Sequence, residues 1–174
     1  MDQRSSEFHP SAGHYLLTYG VVVLLWLLLA GSLQQDEVVA ALAVGAVVTA
    51  LAAPRLSIMA GVRLSPGAPV SLLTYLAVFL LALVRANLDV ARRVLSPALP
   101  INPAVVEVRT SLRSPLGRLL LANSITLTPG TLSVDLLDDR LLVHWIDTTP
   151  GSDIESATRA IAESFERHIT GFLK

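Results

Sequence analysis

The first hundred residues hold three long apolar runs without formal charge, whereas the rest of the chain mixes apolar and polar residues, so one polypeptide has to satisfy both lipid and water. Inside a bilayer every backbone amide must be bonded within its own segment, so such runs fold as helices. Residues 15–33 are rich in Val and Leu, include Trp26, and reach roughly 28 Å at 1.5 Å per residue, enough for a hydrocarbon core. A cleaved leader is the other reading of this run. However, Asp2, Arg4 and Glu7 ahead of it give no net positive n-region, and a second apolar run follows at once. A retained helix is expected.

Residues 38–53 carry no charge and are closed by Pro54, whose ring stops a helix. Only Gln34-Gln35-Asp36-Glu37 separates them from the first run, which predicts an antiparallel hairpin. At roughly 24 Å the second helix needs tilt, local thinning or borrowed flanks. Ala41, Gly45, Thr49 and Ala53 recur every four residues along one face, and small residues at that spacing let a neighbouring backbone approach closely in lipid. The third segment, residues 70–95, changes character along its length. Residues 70–84 are uncharged; beyond them Arg85, Asp89, Arg92 and Arg93 share one helical face and Val84, Leu88, Ala91 and Leu95 the other, before Pro97 and Pro100. An Arg85-Asp89 pair is expected near the lipid boundary.

The organisation expected is therefore a flexible extension over residues 1–14, a membrane region over 15–96 and a separate domain over 104–174. Arginine placement bears on orientation. The first loop has only Asp36 and Glu37, whereas Arg55 and Arg63 lie in the second and Arg85, Arg92 and Arg93 follow the third run. Two spans with a cytoplasmic N-terminus put every arginine inside. Three spans, which hydropathy favours, leave Arg4, Arg55 and Arg63 outside. Both arrangements place the C-terminal domain in the cytoplasm of a multi-pass plasma-membrane protein.

The last seventy residues read as a compact α+β unit in the order βαββα. Residues 104–110 alternate, with Val106 and Val108 inward and Glu107 and Arg109 outward, as in a half-buried strand. Pro115 opens a helix to about residue 127. Pro129-Gly130 is turn chemistry, and residues 131–137, with Leu132, Val134 and Leu136 alternating, pair through Asp138-Asp139 with residues 140–146. In the final helix Ser152 and Glu155 form a capping-box pattern. Ile154, Ile161, Phe165, His168 and Phe172 mark its inner stripe, and Glu155, Arg159, Glu163 and Arg167 an outer i+4 ladder. So small a core is marginal alone and is expected to lean on partners.

Several chemistries are excluded. Net charge is −1, giving no electrostatic footprint for nucleic acid, and the absence of cysteine excludes thiolate catalysis and thiolate metal sites. Ser124, His144 and Asp147 could be imagined as a triad, but nothing brackets the serine as a nucleophile elbow, and His144 alternates as an ordinary strand residue. No phosphate-cradling glycine motif or metal-spaced cluster of His and carboxylates occurs, so neither an enzyme nor a cofactor is expected. Ion relays need ionisable groups within the membrane, and the first two helices carry theirs only at the ends.

Two patterns carry a family resemblance: Ala86-Asn87-Leu88-Asp89-Val90 at the end of the third segment, and Leu121-Ala122-Asn123-Ser124-Ile125-Thr126-Leu127-Thr128-Pro129-Gly130-Thr131. Together with the apolar hairpin and the closing strand pair and helix, they make the chain resemble the E-subunit family of the multisubunit Mrp-type Na+/H+ antiporter from about Tyr15 to Phe172. The resemblance implies an accessory membrane subunit of a cation/proton antiporter that contributes to assembly and stability, with the ion path in larger partner subunits. Its partners would be those subunits and the lipid bilayer. Ala41, Gly45, Thr49, Arg85, Asn87, Asp89, Asn123, Thr126, Thr128, Pro129 and Gly130 are the candidate contact or anchor residues. The alternative is a self-standing membrane-anchored cytoplasmic interaction or sensor domain.

Overall fold

The computed structural model describes residues 10–174, so most of the expected N-terminal extension, including Asp2, Arg4 and Glu7, lies outside the described residues. The chain divides into two compact units, the first ending at Leu64 and the second comprising Ser65–Lys174.

The first unit is the hairpin. Helix α1 spans Ala12–Ala30, and Gly31 ends it in the left-handed conformation at φ 63°, its N–H returning to the Leu27 carbonyl. Helix α2, Gln35–Ala52, starts with Asp36 and Glu37 in its first turn, where acidic groups suit the helix dipole. Pro54 does not stop the chain's winding outright; α2 tightens into a 3₁₀ helix over Ala53–Gly61, a common helix-end form. The small-residue row meets α1: a Cβ on Gly45 would stand 2.8 Å from Val23 Cγ2 and 3.0 Å from Tyr19 Cε2. At the connection Trp26 Nε1 donates to Glu37 at 3.1 Å. At the open end buried His14 accepts from the Ser11 N–H through Nδ1 at 3.0 Å, which leaves the proton on Nε2 to donate to the Val62 carbonyl at 3.1 Å. Most other described side chains of the two helices are exposed or half-buried, as in a pair of helices solvated by lipid.

The second unit begins with a 28-residue helix, α3, over Ala68–Leu95. Strand β1 (Ala104–Arg109), helix α4 (Pro115–Leu127) and strands β2 (Thr131–Leu137) and β3 (Arg140–Trp145) follow. The sheet is antiparallel in the order β1-β3-β2. Val106 opposite Val143 and Val108 opposite Leu141 form the buried face, covered by Leu121 and Ile125 of α4 and by the closing helix. That closing helix has three parts: α5 (Ile154–Ala157), a π-helical turn (Thr158–Ala162) and α6 (Glu163–Ile169).

Three sequence expectations need correction here. The N-cap is Asp153, not Ser152; its carboxylate accepts from the Glu155 and Ser156 N–H groups, the commonest capping chemistry. In α6 the inner stripe runs from Phe165 to Ile169 at i+4, so Ile169 is fully buried and His168, at i+3, is only half-buried with Nδ1 on the Ser164 carbonyl. In β2 the register shifts between Ser133 and Asp135, a β-bulge that breaks the Leu132–Val134–Leu136 alternation and leaves all three partly exposed. The Glu155–Arg159 and Glu163–Arg167 pairs of the outer ladder are present at 3.8 and 2.8 Å.

Candidate functional site

The hydroxyl-rich stretch that ends α4 lies where α3, α4 and β2 meet. Thr128 Oγ1 donates to the Ser124 carbonyl at 2.8 Å, and Thr131 Oγ1 donates to the Ile125 and Thr128 carbonyls at 2.6 and 2.8 Å. These side chains occupy carbonyls that a helix C-terminus leaves without amide partners. Thr126 faces the other way and accepts the Ser133 N–H of β2 through Oγ1 at 3.1 Å, covering part of a sheet edge. Gly130 sits at φ 94°, where its carbonyl accepts the Ile146 N–H at 2.8 Å and a Cβ would fall 2.9 Å from Ile146 Cγ2. Pro129 supplies the fixed φ ahead of it. Asn123 is exposed on the outer side of α4.

Helix α3 meets this region at Tyr75 and Val90, and its first half packs on the closing helix. The Tyr75 hydroxyl lies 2.7 Å from Ser124 Oγ, which itself donates to the Leu120 carbonyl, so Ser124 is a buried hydroxyl with both capacities used. The Tyr75 ring rests on Phe172 with centroids 5.6 Å apart, and Phe79 rests on Phe165 at 6.3 Å. Ser71 touches Gly171 closely enough that a Cβ there would collide with its side chain at 2.5 Å. Sequence reading placed none of these contacts. The row Ser71, Tyr75, Phe79 at i+4 was the available signal, since two of its three members carry hydroxyls inside an otherwise apolar run.

The expected Arg85–Asp89 pair is replaced by another. Asp89 bonds Arg93 at 2.7 Å, Arg93 also reaches Asp147 at 2.8 Å, and its Nη1 donates to the Pro100 carbonyl at 2.6 Å. Arg93 wins because it sits one turn nearer the domain, where a second carboxylate and a carbonyl converge on it. The Thr149 hydroxyl and N–H, then Arg93, hold the Asp147 carboxyl below the usual carboxylate range. Arg85 is exposed, and the Asn87 amide donates back to the Leu83 carbonyl at 2.8 Å. In the hairpin Ala41 and Gly45 are buried, whereas Thr49 keeps a buried hydroxyl oxygen without a hydrogen-bond partner. His144 lies exposed on the outer face of the sheet, opposite Val105 and Leu132. Among the described residues no group of three His, Cys, Asp or Glu side chains is placed to hold a metal.

The arrangement is architectural: hydroxyls close a helix end, and a carboxylate–arginine–carboxylate cluster clamps α3. Over 101 residues the chain is 40% identical to the E subunit of the Na+/H+ antiporter of Alkalihalophilus pseudofirmus, a match covering 57% of this chain and 62% of that one. With the corresponding E subunit of Bacillus subtilis it shares 39% over 102 residues, covering 58% and 63%. The chain thus matches about three-fifths of the length of these curated relatives. Its fold is similar to a chain of the membrane-bound sulfane sulfur reductase, an archaeal respiratory membrane complex, with TM-score 0.79 and 36% identity over 90% of this chain and 97% of that one. By the match of its sequence over residues 20–171, the chain belongs to the Na+/H+ ion antiporter subunit family.

Proposed function

We propose that this chain is an accessory subunit of a multisubunit Na+/H+ antiporter in the cell membrane, contributing to assembly and stability while larger subunits carry the ions. The family match over residues 20–171 carries the reading. The empty hairpin supports the accessory part: its ionisable groups sit at helix ends, His14 at one and Asp36 and Glu37 at the other. A relay needs several such groups at membrane depth. A second support is the breadth of its relatives. One named relative belongs to an antiporter and a structural neighbour to a sulfane sulfur reductase, so the shared subunit serves something other than one chemistry. The domain would contact its partners through the uncovered face of the sheet, where Val105, Leu132 and Leu137 surround a Glu107–Arg140 pair of 2.7 Å. The arginines around α3, against the acidic loop between α1 and α2, support a cytoplasmic position for that domain.

The runner-up is a self-standing membrane-anchored cytoplasmic interaction or sensor domain, favoured by the second unit's own core. One experiment separates them. The chain, tagged at its N-terminus, is purified in mild detergent from membranes that express its neighbouring hydrophobic gene products. Stoichiometric co-purification with large antiporter-like subunits is expected, together with Na+/H+ exchange in vesicles rebuilt from the complex. Recovery as a well-behaved isolated chain would select the runner-up.

A further inference from the structure

We propose that α3 lies along the membrane surface as an interfacial helix, with its outer face among lipid headgroups and upper acyl chains, so that the chain crosses the bilayer twice rather than three times. Length and hydropathy alone admit α3 as a third span. The packing argues otherwise. Ser71, Tyr75, Phe79, Ala86, Val90 and Arg93 mark one covered stripe from end to end, and its contacts are Gly171, Phe172 and Phe165 near the start and Gly130 and Asp147 near the finish. At 28 residues α3 is about 42 Å long. Standing upright, it would draw the domain at its side into hydrocarbon. Glu163, Glu166 and Arg167 flank the very Phe165 on which Phe79 rests, and charges are costly at that depth.

The opposite face of α3 suits a lipid surface. At about 100° per residue, Val70, Leu73, Leu80, Val84, Leu88 and Leu95 align in one stripe, and each is at least 56% exposed. Arg85 and Arg92 fall along the border of that stripe, where long cationic side chains reach headgroups while their stems cover apolar surface. The preceding hairpin tethers the chain to the bilayer, so an apolar stripe of this length has lipid within reach. This inference needs only a membrane-embedded hairpin and stands apart from the antiporter reading.

The native chain has no cysteine, so single cysteines report cleanly. Spin labels at positions 73, 80, 84 and 88 of the full chain, in native-lipid vesicles, are compared for collision with oxygen and with a water-soluble nickel chelate. Equal, shallow depths at all four are expected, and cysteines replacing Gly67 and Ser96 should react with a membrane-impermeant thiol reagent from the same side. A depth that changes along the helix by about 22 Å between positions 73 and 88, or labelling of the two ends from opposite sides, would establish a third span and overturn the proposal. Low collision with both reagents would show a protein partner on this face, and high nickel collision would show open water; either result also overturns it.

Discussion

Arg93 gathers more of the second unit's polar geometry than any other side chain of α3. It bonds Asp89, Asp147 and the Pro100 carbonyl, with about 18% of its own side chain exposed. Arg93→Ala leaves Asp147 without its cation, and a hydrogen bond to a charged group is worth roughly 1.5–3 kcal/mol. Faster amide exchange at Asn102, Ile146 and Thr148 should report that loss. Asp89→Asn is expected to be milder, within about 1 kcal/mol, because Asp89 is half exposed and Arg93 keeps Asp147. In vesicles, exchange by that variant should fall only in proportion to the complex assembled; a fully assembled but transport-dead complex would make Asp89 part of the ion path. The Asp147 carboxyl also sets a pH dependence. Its folded value is lowered, first by the Thr149 hydroxyl and N–H and then by Arg93. Its contribution is therefore complete above the unfolded value near ~3.9 and is lost as pH falls through the folded value. Amide exchange around Thr148 should accelerate only below about pH 4, and Asp147→Asn should remove that acid-induced step.

At the scale of elements, the turn after α4 gives the sharpest expectation. Gly130→Ala forces a side chain into φ 94° and against Ile146. Left-handed strain of this kind costs about 1–3 kcal/mol, which should appear as loosened pairing at the start of β2 in hydrogen exchange. Pro129→Ala, lacking that strain, should lose far less. The bounds of α4 and β2 were legible in the sequence because Pro115, Pro129-Gly130 and Asp138-Asp139 punctuate them chemically. The polar run Asn123–Thr131 was legible as a helix end and a tight turn, although not as the set of carbonyl caps it proves to be, since which carbonyl a hydroxyl meets depends on the turn's path. The closing helix was harder to read. One turn beyond Phe165 the helical spacing admits either His168 at i+3 or Ile169 at i+4, and Ile169 is the one buried. The covered face of α3 was hidden for another reason. A face of Ala, Val, Leu and Phe reads alike whether it meets lipid or a protein core, and only Ser71 and Tyr75 betrayed the difference. The Arg85–Asp89 expectation failed on the same point, since spacing permits i+4 pairs on either side of Asp89 and only the position of Asp147 decides.

For the molecule as a whole, each unit displays apolar surface that its own atoms do not cover, and the hairpin's surface differs in chemistry from the sheet face of the second unit. Among its described residues the hairpin buries little beyond His14, Ala41, Gly45 and Leu56, as expected when lipid is the solvent. The domain's uncovered sheet face is another matter, because Val105 is 60% and Leu132 49% exposed beside a polar Glu107–Arg140 pair. A mixed face of apolar centre and charged flank resembles a protein interface more than a lipid one. Replacing both residues, Val105→Lys with Leu132→Gln, should leave the domain folded, since neither side chain belongs to the buried core of Val106, Val108, Leu141 and Val143. The few residues that dominate an interface cluster near its centre and cost more than about 1 kcal/mol when lost, so if this face is that centre the pair should cut co-purification with the large subunits roughly tenfold at limiting concentration. Hydrogen exchange across β1 and β3 separates a lost contact from a lost fold. Unchanged protection with lost partners would place the subunit interface on this sheet; unchanged partners would move it elsewhere, to the outer face of the hairpin or the far side of α4 around Asn123.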